Sequence, residues 1–279
     1  MFRTKKIQRE KRKAMKLFDT HCHLDFDVFE PARSQHLQRG LEVGVERLLL
    51  PSVGPDNWQK VKTLAQWSAM SSEQTRPAIF YALGFHPYFL TLDYQQKQSA
   101  LLALLDERDT RCVAIGECGL DDGVEQDTAL QEQALIYQLD LAKQYQLPVI
   151  LHNRRCHNRL IQLVKAARLP KGGVIHAFSG SYEQGMEWIR LGFYLGVGGT
   201  ITYPRANKTR QAISRLPLEK LLLETDAPDM PIFGFQGKLN TPAQIIHPLN
   251  ELGLLHNQTK QTIASQIWKN SNSLFSICE

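Results

Sequence analysis

Eight short runs of β-favouring residues recur along the chain, at 17–21, 47–51, 79–84, 113–117, 148–152, 173–176, 193–197 and 221–225. Most of the gaps between them have helical period or helix-forming composition. The clearest gap is 127–146, where Leu130, Ala134, Tyr137, Leu141 and Tyr145 return at three- and four-residue steps, with polar residues opposite. Asp127 stands where an N-cap is needed. Further helices are predicted over 158–167, 182–190 and 257–273. Strands alternating with helices imply an α/β fold whose parallel sheet is covered on both faces. Eight repeats fit a (β/α)₈ TIM barrel of the usual size, about 250 residues. No Pro/Gly/Ser linker or composition break divides residues 15–279, so one barrel domain is expected. An open doubly wound sheet is disfavoured, because no G-x-G-x-x-G follows the first run. Gly196-x-Gly198-Gly199 comes too late for that role and reads as a tight turn.

The residues that end these runs point to chemistry. In a barrel, functional groups collect at the C-terminal ends of the strands. There the chain places His21 and His23, Glu117, His152, His176 and Asp226. Side chains two apart on a strand share a face, so His21 and His23 can grip one ion while Cys22 points away. Six ligands, four of them imidazole, are too many for one catalytic ion that must keep open positions. They suit two divalent ions, and Glu117 has two oxygens with which to bridge them. Alone, each residue has an ordinary reading, such as a hydrogen-bonded strand-end histidine or a turn-capping aspartate. Six together in barrel order favour a metal site.

The net charge is +5, but its distribution argues against a basic groove. Residues 1–14 hold seven basic residues against Glu10, whereas the rest carries 26 basic and 27 acidic residues. Residues 1–14 are therefore expected to be a disordered basic extension. Met15, just before the first run, is an expected alternative start. No apolar stretch approaches the roughly 20 residues of a membrane span, and the basic N-terminus is not followed by a signal-peptide core. The five cysteines are scattered without a C-x-x-C pair, so buried or half-buried free thiols and a cytoplasmic location are expected.

The stretches Asp19-Thr20-His21-Cys22-His23-Leu24, Gly84-Phe85-His86-Pro87, Ile115-Gly116-Glu117-Cys118-Gly119-Leu120-Asp121, Pro148-Val149-Ile150-Leu151-His152, His176-Ala177-Phe178-Ser179-Gly180-Ser181 and Leu223-Glu224-Thr225-Asp226-Ala227-Pro228 together resemble the TatD-type deoxyribonucleases. These are metal-dependent hydrolases of the amidohydrolase-like barrel group, and the resemblance runs from about residue 16 to the C-terminus. Ala227-Pro228-Asp229-Met230-Pro231, with Gly234-Phe235-Gln236-Gly237 after it, is most similar to the YjjV-like branch. Many members carry two aromatics after Gly-Leu-Asp, where this chain has Asp122-Gly123.

The resemblance implies one ion held by His21, His23, Glu117 and Asp226, and a second held by Glu117, His152 and His176. It implies a substrate or water contact for His86. It also implies exonuclease action on single-stranded DNA ends, from 3′ to 5′, with RNA as an alternative. Members are commonly called magnesium-dependent, but four imidazoles favour zinc, manganese, nickel or iron, with magnesium possible for activity. In the mechanism expected, a water activated by both ions attacks the phosphodiester and Asp226 is its general base. Arg154 and Arg155, with Arg159 nearby, and Arg205 beside Tyr203, with Lys208 and Arg210, are expected phosphate contacts. Phe85, Tyr88, Phe89, Phe178 and Tyr203 are expected stacking surfaces. The competing readings are an esterase or amidohydrolase on the same barrel, such as an aminoacyl-tRNA deacylase, and a non-catalytic binding protein.

Overall fold

Period-two alternation sorts the strand residues into two layers. The computed structural model describes residues 15–70 and 76–278. Its first half runs β1 (Leu17–Asp19), α1 (Arg33–Glu42), β2 (Val45–Pro51), α2 (Pro55–Ala69), β3 (Ala78–Leu83), α3 (Tyr94–Asp106), β4 (Cys112–Asp121) and α4 (Thr128–Tyr145). The second half runs β5 (Val149–Arg154), α5 (His157–Ala167), β6 (Gly173–Ile175), α6 (Tyr182–Arg190), β7 (Phe193–Val197), α7 (Asn207–Ile213), β8 (Leu221–Leu223), α8 (Ile246–Leu255) and α9 (Lys260–Leu274). The strands lie in sequence order, each parallel to its neighbours. This is the expected TIM barrel, and all eight expected runs contribute a strand. The expected N-terminal extension lies outside the described residues.

Leu48, Leu50, Ile79, Tyr81, Val149, Leu151, Leu221 and Leu223 belong to the larger core, packed with helix residues. The residues between them face the other way. Phe18, Leu49, Ala82, Ala114, Ile150, Val174 and Leu222 form a second core with Trp268, Leu274 and Phe275 at the C-terminal end of the chain. A cluster fed by strand after strand of one ring must be its interior. Helix α9 and the residues after it therefore close the barrel floor.

The circle closes between β8 and β1 without a regular ladder. Thr20 N donates to Leu223 O (3.0 Å), Asp226 N to His21 O (2.9 Å) and His23 N to Ala227 O (2.7 Å). Cys22 bridges Ala227 in parallel fashion. The buried Asp19 carboxylate ties the seam by accepting from Thr225 N (2.9 Å) and Thr225 Oγ1 (2.6 Å). Burial pushes Asp19 up to about 8, against the lowering effect of those Thr225 hydrogen bonds.

The expected helices appear as α4, α5, α6 and α9, and Asp127 caps α4 through hydrogen bonds from Ala129 N and Leu130 N. Strand β4 corrects the reading, because it continues past Glu117 to Asp121. Its register against β5 slips between Ile115 and Cys118, with Gly116 at φ 149°. Ile115 and Cys118 both face the outer core although they are three apart. Such a bulge re-aims one side chain, and here that side chain is Glu117. Of the cysteines, Cys278 is exposed, contrary to expectation. Among the described residues, no helix is long and apolar enough to cross a membrane.

Candidate metal centre

Two residues above the floor, the same inward-facing strand positions carry the polar groups. Ile150 is followed by His152, Val174 by His176 and Leu222 by Glu224. Glu117, on the β4 bulge, stands between two groups of imidazoles. Its Oε2 lies 3.0 Å from His21 Nε2 and 3.8 Å from His23 Nε2. Its Oε1 lies 3.1 Å from His152 Nδ1 and 3.2 Å from His86 Nε2. Asp226 Oδ1 reaches both His21 Nε2 (3.7 Å) and His23 Nε2 (3.8 Å), while its Oδ2 is 3.4 Å from His176 Nε2. The His21 and His176 rings stack with centroids 3.5 Å apart. The structure brings His21 and His23 together, with the two Nε2 atoms 3.3 Å apart. The pair sits beyond the end of β1, held by the Cys22–Ala227 bridge.

The environment sets the charge states. Burial tends to raise Glu117, but His86, His21 and His152 outweigh it and hold the carboxyl well below its ordinary range. Burial also acts against ionised Asp226, and His176, His21 and His23 reverse that, so it too is lowered. His23 is pushed down to about 4 by burial and by neighbouring His21, which keeps it neutral with a lone pair to offer. Burial opposes charge on His152 and His176, yet their carboxylate neighbours raise both, His176 well above the ordinary imidazole value.

Two carboxylates missing from the expected site orient these rings. His152 Nε2 is 2.9 Å from Asp121 Oδ2 and its Nδ1 is 3.1 Å from Glu117 Oε1, so both ring nitrogens face carboxylates and a neutral ring can donate to only one of them. His176 Nδ1 is 3.1 Å from Glu224 Oε1, an atom that also accepts from Ala177 N (2.6 Å). Lone pairs on His152 Nδ1 and a carboxylate oxygen cannot face each other at 3.1 Å without a proton or cation between them. This donor set therefore fits a divalent cation. The triads His21–His23–Glu117, His86–Glu117–His152 and His21–His176–Glu224 each offer ligand atoms within 4.8 Å of one another. His86 differs from the rest. Its Nδ1 accepts from Tyr88 N (3.1 Å), which places the proton on Nε2 and makes that atom a donor rather than a ligand.

Asp121 is signalled by the Gly-Leu-Asp stretch, and Glu224 by its place two residues before Asp226. Gly196, expected in a turn, lies in β7 instead. A Cβ there would overlap the Glu224 carboxylate, so the missing side chain makes room for it. Ala177 (φ 46°) and Asp226 (φ 58°) hold left-handed backbone beside the site, as strained residues near functional groups often do.

A cavity of about 490 Å³ opens over the cluster, lined by His23, Phe26, Val53, His86, Tyr88, Phe89, Glu117, Asp121, His152, Arg154, His176, Asp226 and Asp229. Arg154 is its one arginine or lysine among the described residues, 3.7 Å from Asp121 Oδ1. A Cβ at Gly123 would lie 2.6 Å from Arg154 Nη1, so the arginine fills space left by the absence of a side chain there. Arg155 is exposed and outside this cavity. Tyr203 and Arg205 line a separate cavity with Thr200, Ala206, Met230 and Pro231, the guanidinium 5.3 Å from the Tyr203 ring centre. Arg159 pairs with Glu132 (2.6 Å) and Arg210 with Glu251 (2.7 Å), so ion pairs across the surface account for both. Phe85 and Phe178 are buried, which corrects their expected stacking role. Tyr88 and Phe89 are exposed at the rim. Phe26, absent from the expected set, stacks on His23 at 4.8 Å.

A (β/α)₈ barrel with imidazoles and carboxylates gathered at its C-terminal mouth defines the metal-dependent hydrolase class. The family model described as TatD related DNase matches residues 18–276, and the chain belongs to this family. It is 42% identical over 263 residues to "Uncharacterized metal-dependent hydrolase YjjV" of Escherichia coli (strain K12), covering 94% of this chain and 98% of that one. It is 32% identical to a "3'-5' ssDNA/RNA exonuclease TatD" of Citrobacter koseri, covering 94% and 99%. The crystal structure of the Escherichia coli YjjV protein superposes with a TM-score of 0.86 at 41% identity, over 94% of this chain and 98% of the other. The chain is a metal-dependent hydrolase.

Proposed function

We propose that this hydrolase cleaves phosphodiester bonds of nucleic acid, removing residues from the 3′ end of single-stranded DNA, with RNA as a related substrate. One observation carries the reading. A single cavity joins the imidazole–carboxylate cluster to an arginine without a strong partner and to aromatic side chains at its rim. The Citrobacter koseri relative, named as a 3'-5' ssDNA/RNA exonuclease, supports it.

His21, His23, Glu117 and Asp226 would hold one divalent cation, and Glu117, His152 and His176 a second. Bound there, such ions supply charge to a phosphate and lower the pKa of a water. Four imidazoles favour zinc, manganese, nickel or iron, with magnesium able to support activity. Asp226, kept ionised by the imidazoles around it, accepts the proton of the attacking water. His86 Nε2–H donates to a substrate oxygen. Arg154 takes a phosphate oxygen, and Tyr88, Phe89 and Phe26 offer faces on which an unpaired base can lie.

The test is a chelated, then metal-reconstituted protein given a 5′-labelled single-stranded oligonucleotide. The expected result is stepwise shortening from the 3′ end that depends on added metal and is lost in Asp226→Asn. Intact phosphodiesters alongside rapid hydrolysis of aminoacyl or lactone esters would overturn the reading. Reversing Arg154 and Arg155 to Glu is expected to raise KM and flatten the salt dependence.

A further inference from the structure

The cavity over the cluster has two unlike poles. Arg154 projects from the end of β5, whereas Asp229 lies in the loop after β8. In a ring of eight strands in sequence order these positions are three strands apart around the mouth. The other acidic groups of the cavity are engaged. Glu117 and Asp226 face the imidazoles, and Asp121 accepts from Gly123 N (2.7 Å) and contacts His152. The Asp229 carboxylate makes no hydrogen bond or ion pair among the described residues, yet it lines the cavity. Its backbone is firmly held. Asp229 N donates to Asp226 O (2.8 Å), and Asn240 Nδ2 donates to both Asp229 O and Thr225 O at 2.8 Å. Asn240 thereby locks the loop that carries Asp229 to the strand end that carries Asp226.

An ionised carboxylate accepts hydrogen bonds and repels anions. A phosphate monoester carries about −1.5 to −2 charges near neutral pH, a hydroxyl none. We infer that Asp229 reads the end of the substrate, accepting a hydrogen bond from a free terminal hydroxyl and turning away a terminal phosphate, while the backbone charge lies toward Arg154. This selects 3′-hydroxyl ends over 3′-phosphate ends. The inference rests on the nucleic-acid reading above and adds the chemistry of the terminus to it.

The experiment pairs two single-stranded oligonucleotides that differ only in a 3′-hydroxyl or a 3′-phosphate. Each has a phosphorothioate at its last linkage to slow cleavage. Affinity for the metal-reconstituted protein is measured by fluorescence anisotropy, and unmodified versions are assayed for shortening in parallel. The wild-type protein is expected to favour the hydroxyl end by about tenfold or more, the scale of one charge-assisted hydrogen bond and one like-charge repulsion. Asp229→Asn is expected to bring the two ends within about threefold, chiefly by improving the phosphate end, and Asp229→Glu to restore part of the preference. A general loss of structure would weaken both ends alike and leave the ratio unmoved.

Equal affinity of the wild-type protein for both ends, or an unchanged ratio in an Asp229→Asn protein that still binds the hydroxyl end as tightly as wild type, overturns the inference. Shortening without end discrimination sinks this inference and leaves the nuclease reading standing. Discrimination in binding without shortening does the reverse.

Discussion

The floor and the mouth of this barrel are built from the same strands two residues apart, and they obey opposite physics. At the floor, Phe18, Leu49, Ile150, Val174 and Leu222 meet Trp268 and Phe275 in a dry cluster. Each such side chain contributes about 1.5–3 kcal/mol on leaving water. At the mouth, His176, Glu224 and the bulged Glu117 are taken out of water as well, which costs several kcal/mol for each charge that lacks a partner. Mutual pairing offsets that cost here, and the carboxylate oxygens are left converging where cations fit. The floor therefore holds the barrel together, while the mouth holds groups that only the finished barrel can keep at 3–4 Å from one another. Separating stability from chemistry in this way is general to the fold.

The division can be broken or sharpened experimentally. Asp226→Asn should lower turnover by about a hundredfold or more while the melting temperature of the metal-loaded protein stays near wild type. Near-normal steady-state rates would remove Asp226 from proton transfer. At the floor, Phe18→Ala should cost about 3–5 kcal/mol in denaturant unfolding, with turnover per folded molecule unchanged. A matching fall in turnover would mean that floor and mouth are coupled. Glu224→Gln removes the charge that holds His176, and metal affinity should drop about 10–100-fold in a competitive chelator titration. An unaltered affinity would reduce Glu224 to a packing role. The smallest effect is expected from Ile150→Val, about 0.5–1.5 kcal/mol of stability and no change in metal content by elemental analysis. Together with the second of these variants, it measures how far the floor can loosen before the ring above it shifts.

Strand β5 illustrates what is legible without coordinates. Val149-Ile150-Leu151-His152 announces a buried strand with a polar end, and its alternation gives the face of each residue. The same holds for β6 and β8, so the barrel and six of the cluster's side chains can be read from the chain. Strand β4 marks the limit. Strict alternation cannot seat Ile115 and Cys118 on one face, and only the bulge at Gly116 reconciles them. The roles of Phe85 and Phe178 were not legible either, because an aromatic beside a site motif has the same composition whether it packs inward or faces the cavity.

By itself the sequence determined the eightfold strand–helix alternation, the inner and outer faces of the strands and the residue types at their ends, because these follow from local periodicity. The tertiary structure decided which side chains meet. It joined Asp121 to His152 and Glu224 to His176, tied Arg159 and Arg210 into ion pairs, and brought Arg154 and Asp229 into one cavity. Those outcomes depend on distances between residues tens of positions apart, which exist only once the ring has closed.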